Sequence, residues 1–284
     1  MKQAGLSIPI NALQDYFSKR EDVLMAFVFG SQAKKSARAG SDWDIAVYFK
    51  PESGRLECEE EVFYKQEAVV WNDLESILKC PVDLIILNRA PATLAFPIIN
   101  KGEPIIIKNK SVYLKFLLAI SSLAIDFRQF MRDFRTIKAR SRSLNIEDKD
   151  NLIKLLDFIE TELNDFDKYK NLDFATYTNN REKKRSVERW VENIVNASID
   201  IAKILLASEK KQLPDTYGDI LKLLVSMPNF SEEISNKLAF FVGLRNLMAH
   251  EYLDLRFSQI QEFIKEVKIY RYLIEYTDNF LKKN

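Results

Sequence analysis

The chain has 284 residues, with 42 Lys and Arg against 41 Asp and Glu, 47% hydrophobic residues, one His and two Cys. That length and apolar fraction suffice for two modest domains, and the balanced charge carries no overall nucleic-acid signal. Cys58 and Cys80 have neither the number nor the spacing for a disulfide framework or a zinc site. The most apolar run, Phe116 to Ile125, is too short to span a bilayer, and no signal peptide opens the sequence. A soluble, cytoplasmic protein of a reducing compartment, with no membrane partner, is predicted.

Asn11 to Lys19 reads as a first helix with Leu13, Tyr16 and Phe17 on one side. Val23 to Phe29 is nearly all apolar, as a strand buried on both faces should be. Gly30-Ser31 ends it with a residue that lets a phosphate approach the backbone, then a small hydroxyl beside free amides. A short helix leads into a second strand that opens Asp42-Trp43-Asp44 and runs to Phe49. Asp42 and Asp44, two apart, project from one face. Two carboxylates opposite a phosphate-holding turn can hold Mg²⁺ against a triphosphate; a turn-forming Ser and a solvated Asp pair is the plainer alternative for each piece alone.

Pro51 to Gly54 is a loop, and the acidic run from Glu57 predicts a long helix ending near Lys79, with Trp71 in the core. Early acid and a late Lys suit the helix dipole. Pro81 to Leu87 is a third strand with Asp83 among apolar neighbours, where burial without a counter-charge is costly and a metal is the simplest partner. Pro91 starts a helical piece that Pro97 should end or kink. Lys101-Gly102-Glu103-Pro104 turns into a last strand, Ile105 to Ile107. Strands alternating with helices predict a small α/β sheet domain.

After Lys110 the periodicity is helical throughout. Ile120, Leu123, Phe127, Phe130, Phe134 and Ile137 make one stripe that could dock the first domain to the second, and Arg140 to Ser143 breaks it. Leu152 to Phe166, Val187 to Ile204, Ile220 to Leu224, Leu238 to His250 and Ile260 to Ile274 supply further helices, an antiparallel all-α bundle. Ser231-Glu232-Glu233 is a helix start. Residues 101–144 hold ten Lys/Arg against three Asp/Glu, and Arg181 to Arg189 five against two; the distribution is a nucleic-acid signal, but for each cluster alone a solvated helix face is the better explanation. Within the bundle, Arg245, Asn246, Ala249 and His250 share a helical sector about 140° wide, and Tyr252 falls within roughly 20° of Arg245 if the helix continues. Arg can hold a phosphate bidentately and His can move a proton near neutrality. Taken alone, a His near a helix end is more often a structural cap.

Gly30-Ser31-x10-Asp42-x-Asp44 resembles the minimal nucleotidyltransferases of the polymerase-β-like superfamily, over roughly residues 10–110. The resemblance implies ATP as substrate and two Mg²⁺ ions held by Asp42 and Asp44. It makes Asp83 the third carboxylate, completing the metal site and helping to deprotonate the attacking hydroxyl, and puts Gly30 and Ser31 on the distal phosphates. Arg245-x4-His250-x-Tyr252 is similar to the signature of the HEPN helical-bundle ribonucleases, over roughly 147–284, including Val187-Glu188-Arg189. That resemblance implies metal-independent RNA cleavage at a site completed across a homodimer. Arg245 would steady the scissile phosphate, Asn246 position the motif, and His250 accept or donate the proton. In toxin–antitoxin pairs of this kind a minimal nucleotidyltransferase silences the HEPN toxin by transferring AMP to the motif tyrosine, here Tyr252.

The two resemblances together imply a fused toxin–antitoxin polypeptide, with a nucleotidyltransferase domain and connecting helix over 1–138 and a HEPN domain over 139–284. An antibiotic nucleotidyltransferase, whose helical half only binds an acceptor sugar, has no need of the Arg245–His250–Tyr252 motif. A non-catalytic RNA-binding module has no need of three carboxylates.

Overall fold

Val23–Phe29 (β1) reads as an unbroken apolar run because helices cover both faces of its sheet. A computed structural model describes residues 7–33, 42–52, 54–140, 144–212, 214–250 and 256–284, the side chains of residues 7–9, 249 and 250 excepted. The chain divides into two units, Met1–Asp126 and Phe127–Asn284. In the first, α1 (Ser7–Ser18) precedes β1, the one-turn α2 (Gly30–Ala33), β2 (Trp43–Phe49), α3 (Glu67–Leu78) and β3 (Val82–Ile86). Then come α4 (Ala92–Lys101), β4 (Glu103–Ile107) and the start of α5 (Lys110–Ala139). The sheet order is β3-β2-β1-β4, with β2 and β3 parallel and the other pairs antiparallel. Ile45, Val47 and Phe49 pack with Leu13 and Phe17 of α1 and Val70 and Leu74 of α3. Ala46 and Tyr48, on the other face, join Ala95 and Ile98 of α4 and Phe116 and Ile120 of α5. Neither face is left to solvent, so strict polar alternation is absent.

Two local expectations give way here, and of the end or kink expected at Pro97 the end does not occur. The acidic run at Glu57 does not begin a helix, since α3 starts at Glu67. Its carboxylates serve instead as tertiary acceptors: Glu59 Oε1 takes the Ala92 backbone N–H at 2.7 Å, and Glu57 Oε2 takes Asn88 Nδ2 at 2.8 Å and the Tyr64 hydroxyl. Trp71 is half exposed rather than core. Pro97 does not end α4, which runs on to Lys101. Ala95, Ile98 and Ile99, buried on either side of the proline, hold the last turn despite one missing backbone donor.

In the second unit the rest of α5 is followed by α6 (Ile146–Asn164), α7 (Phe166–Tyr169), α8 (Phe174–Asn179) and α9 (Arg181–Ser208). They lead to α10 (Tyr217–Leu223), α11 (Glu232–His250), α12 (Phe257–Glu266) and α13 (Ile269–Lys283). The α5 stripe is shared between cores: Ile120 and Leu123 belong to that of the first unit, Phe127, Phe130, Phe134 and Ile137 to that of the second. Side-chain caps set several starts, with Asn145 accepting from Asp148 N and a reciprocal Thr216–Asp219 box opening α10. The final apolar stripe is divided between two helices, yet Ile260, Phe263, Val267, Tyr270 and Ile274 all remain buried. Trp190 of α9 sits among Tyr169 and Phe263 and donates its indole N–H to the Glu162 carbonyl at 2.6 Å. Among the described residues no helix is long and apolar enough to cross a membrane.

Asn88 is the polar pin of the first unit. Fully buried, it exchanges hydrogen bonds with the Phe49 backbone in both directions, at 2.9 and 3.1 Å, and donates to Glu57 and Tyr64. Asn88→Ala would leave buried groups of Phe49, Glu57 and Tyr64 unmatched, an expected loss of about 3 kcal/mol in urea unfolding. Asn88→Asp should cost at least as much, because it keeps the acceptor for the Phe49 N–H but sets a buried carboxylate against the Phe49 carbonyl and the Glu57 carboxylate.

Candidate active sites

The first candidate site lies where β1 hands over to α2. Gly30 takes φ +66°, a conformation that glycine adopts without strain. A Cβ built there would stand 2.0 Å from Asp44 Oδ2, so the absent side chain is the space that the carboxylate fills. Pairing explains the approach: Phe29 is opposite Asp44 across the antiparallel β1–β2 ladder, and Asp44 is level with Asp83 across the parallel β2–β3 ladder. Level positions on parallel neighbours present side chains to the same face, about 4.8 Å apart. Asp42 stands immediately before β2, two residues from Asp44 and exposed. Asp83 is also exposed, so the argument that it would be costly to bury does not hold; its place beside Asp44 is what matters.

Asp44 is half-buried, and desolvation is the first cause that lifts its pKa above the usual aspartate value. The Asp83 charge adds to the rise, Asp42 adds less, and a hydrogen bond from the Ser31 backbone opposes it. That bond commits the Ser31 amide to Asp44, where the sequence suggested amides free for a phosphate. The donor set is all oxygen, which fits Mg²⁺. Among the described residues no three His, Cys, Asp or Glu side chains converge as a ready cation site. A site that takes its remaining oxygens from substrate phosphates has this character, because Mg²⁺ is commonly held by one or two carboxylates plus phosphate oxygens.

The second candidate site is on α11. Arg245 Nε donates to Asn196 Oδ1 at 2.8 Å, Nη1 donates to Asn246 Oδ1 at 3.2 Å, and the guanidinium lies over the Tyr217 ring at 5.1 Å. Tyr217 is itself fixed edge-on against Phe127 and Phe130. Every one of these partners is neutral, and among the described residues Arg245 forms no salt bridge. Among the described residues the cation is thus oriented by neutral groups alone, an arrangement suited to a phosphate. Asn196 and Tyr217 escaped the sequence reading because their signal is tertiary: one sits within the α9 amphipathic pattern, the other follows the cap of α10. His250 closes α11, but its side chain is not among those described, and Tyr252 lies outside the described residues.

The mixed four-stranded sheet with Asp42, Asp44 and Asp83 at one end, followed by a helical region, has the architecture of a nucleotidyltransferase domain joined to a HEPN bundle. Family comparison agrees for each half. The model described as polymerase beta, nucleotidyltransferase matches residues 11–111, and that described as ribonuclease HepT-like matches residues 159–278. The chain is therefore a nucleotidyltransferase of the polymerase-β family fused to a HepT-like ribonuclease domain. Among solved structures, a toxin–antitoxin with AMP-PNP aligns over 47% of this chain and 94% of its own, at 19% identity and TM-score 0.35. A mutant of the toxin–antitoxin MntA-HpeT aligns over 45% and 90%, at 18% identity and TM-score 0.33. No curated protein matches the chain.

Two substitutions probe the first site. Gly30→Ala places a methyl group on the Asp44 carboxylate and strains the backbone, so nucleotide transfer from labelled ATP should fall roughly 100-fold or more. Asp44→Asn should have the opposite effect on stability. The folded-state pKa of Asp44 lies above its unfolded value, so the folded state loses stability as pH rises through that interval, and no penalty exists below the ordinary aspartate range. Melting at neutral pH should show the Asn variant more stable by about 0.5–1 kcal/mol. The difference should fade below the ordinary aspartate range.

Proposed function

We propose that the chain is a fused toxin–antitoxin that silences its own ribonuclease by adenylylation. The observation that carries this reading is the presence, on one polypeptide, of a nucleotidyltransferase domain and a HepT-like domain whose Arg245 is oriented by Asn196, Asn246 and Tyr217 and, among the described residues, forms no salt bridge. A helical half that only bound an acceptor sugar would not require such a residue.

In the nucleotidyltransferase domain, Gly30 and Ser31 lie against the distal phosphates of ATP, while Asp42, Asp44 and Asp83 would hold Mg²⁺. Bound there, Mg²⁺ would offset the triphosphate charge. The Tyr252 hydroxyl attacks the α-phosphorus; its oxygen forms the new P–O bond, the bond to pyrophosphate breaks, and the phenol proton passes to the Asp83 carboxylate. In the helical domain Arg245 binds the scissile phosphate of RNA and Asn246 holds the Arg245 guanidinium in place. His250 takes the proton of the attacking 2′-hydroxyl or returns one to the departing 5′-oxygen. A second copy of the chain completes this site. AMP on Tyr252 adds negative charge and bulk beside it and excludes RNA.

Protein shown by intact mass to be unmodified should gain whole AMP units with ATP and Mg²⁺, mapped to Tyr252. Tyr252→Phe should gain none while still cutting RNA, and EDTA should stop the mass gain but not the cutting. An unchanged mass in the parent, or equal modification of Tyr252→Phe, would refute the scheme. RNA cleavage halted by chelation would overturn the metal-free role of His250.

A further inference from the structure

Helix α9 presents one solvent-facing edge, and its first half carries a line of arginines. Arg181, Arg185 and Arg189 recur every four residues and are all exposed. They stand about 6 Å apart along the axis and within roughly 80° around it. The same edge continues to Asn196, about 22 Å from Arg181, and Asn196 is the residue that holds Arg245 Nε at 2.8 Å. Of the other charges of this segment Glu182 is exposed, while three are spent locally. Glu188 accepts the Tyr177 hydroxyl at 2.6 Å, Lys183 lies on the Tyr169 ring, and Lys184 lies on the Tyr177 ring. Arg189 pairs with Glu192 at 2.9 Å but keeps 68% of its side chain exposed. Among the described residues Arg181 and Arg185 form no ion pair.

Helix energetics do not account for this line. Cations four apart on a helix repel one another, and cations in the first turns oppose the macrodipole. The arrangement disfavours the helix on both counts, and an external anion with regularly spaced charges relieves both. Successive phosphates of an extended single strand have a spacing comparable with that of the arginines, and such strands are held by basic tracks of this kind. We propose that the Arg181–Arg185–Arg189 edge of α9 is the track along which single-stranded RNA is led to Arg245. The proposal rests on the reading of the helical unit as a ribonuclease.

The test uses full-length protein carrying His250→Ala, so that binding is read without cutting, and a fluorescein-labelled single-stranded oligouridylate of about a dozen nucleotides. Fluorescence anisotropy across a salt series should show that Arg181→Gln/Arg185→Gln binds about tenfold more weakly, with the log–log salt slope reduced by roughly 1.4, the value for two lost phosphate contacts. Arg181→Glu/Arg185→Glu should bind more weakly still. Lys282→Gln/Lys283→Gln, equal in charge change but at the end of α13, should bind as the parent does. Unchanged affinity and slope in the α9 variants would overturn the track, and so would an equal loss in the α13 control. Cleavage by the chain with His250 intact is scored separately: a parent that cuts RNA with a fully active α9 variant sinks only the track. A parent that never cuts sinks the ribonuclease reading, whatever the binding shows.

Discussion

The nucleotidyltransferase site depends on how closely Asp44 approaches Gly30. No other residue type at position 30 leaves room for the carboxylate, and no other simply accepts the positive φ that turns the chain from β1 into α2. The approach is imposed from outside the site. Because Phe29 and Asp44 are opposite one another, any slip of the β1–β2 ladder would carry Asp44 to the other face. That register is fixed in turn by cores on both sides of the sheet. Packing that touches no substrate therefore holds together carboxylates that repel each other, and the pKa of Asp44 is raised first by its desolvation and then by the charge of Asp83.

The two halves solve opposite electrostatic problems. Around Asp44 like charges are gathered, with Asp83 level with it on the next strand and Asp42 two residues before it. Around Arg245 the reverse holds: two amide oxygens and an aromatic face orient a guanidinium, and no described carboxylate pairs with it. Had an acid stood where Asn196 stands, the geometry would survive while the attraction for a phosphate would be largely cancelled. Among the described residues neither Asp44 nor Arg245 forms a salt bridge, which separates them from ordinary surface ion pairs such as Lys237 with Glu233 and Glu266.

Much of this was legible in the sequence wherever the signal was local. The limits of β1, the place of Asp83 on β3, the long α5 and the helix leading to His250 follow from periodicity and composition. What failed had distant causes. The acids at Glu57 and Glu59 mimic a helix start, and only Asn88, Tyr64 and the α4 backbone, far along the chain, recruit them as acceptors. Pro97 reads as a breaker until its buried neighbours are known. Asn196 and Tyr217 carry no motif at all, and their importance arises only when α9, α10 and α11 bring them to Arg245.

Joining the two domains in one chain changes what silencing depends on. With separate chains, the ratio of modifier to target varies with the synthesis and decay of each. Under the proposed function a fused polypeptide holds that ratio at one to one at every concentration, so abundance acts only through the pairing of copies that completes the ribonuclease site. Under the proposed function, the remaining variables are chemical: the supply of ATP and divalent cation to Asp42, Asp44 and Asp83, and the fraction of chains whose Tyr252 bears AMP. The electrostatics of the two halves then act in sequence. On that reading the carboxylate-rich site would govern whether a negative group is placed on the tyrosine, and Arg245, held by neutral partners among the described residues, is the cation that such a group would oppose.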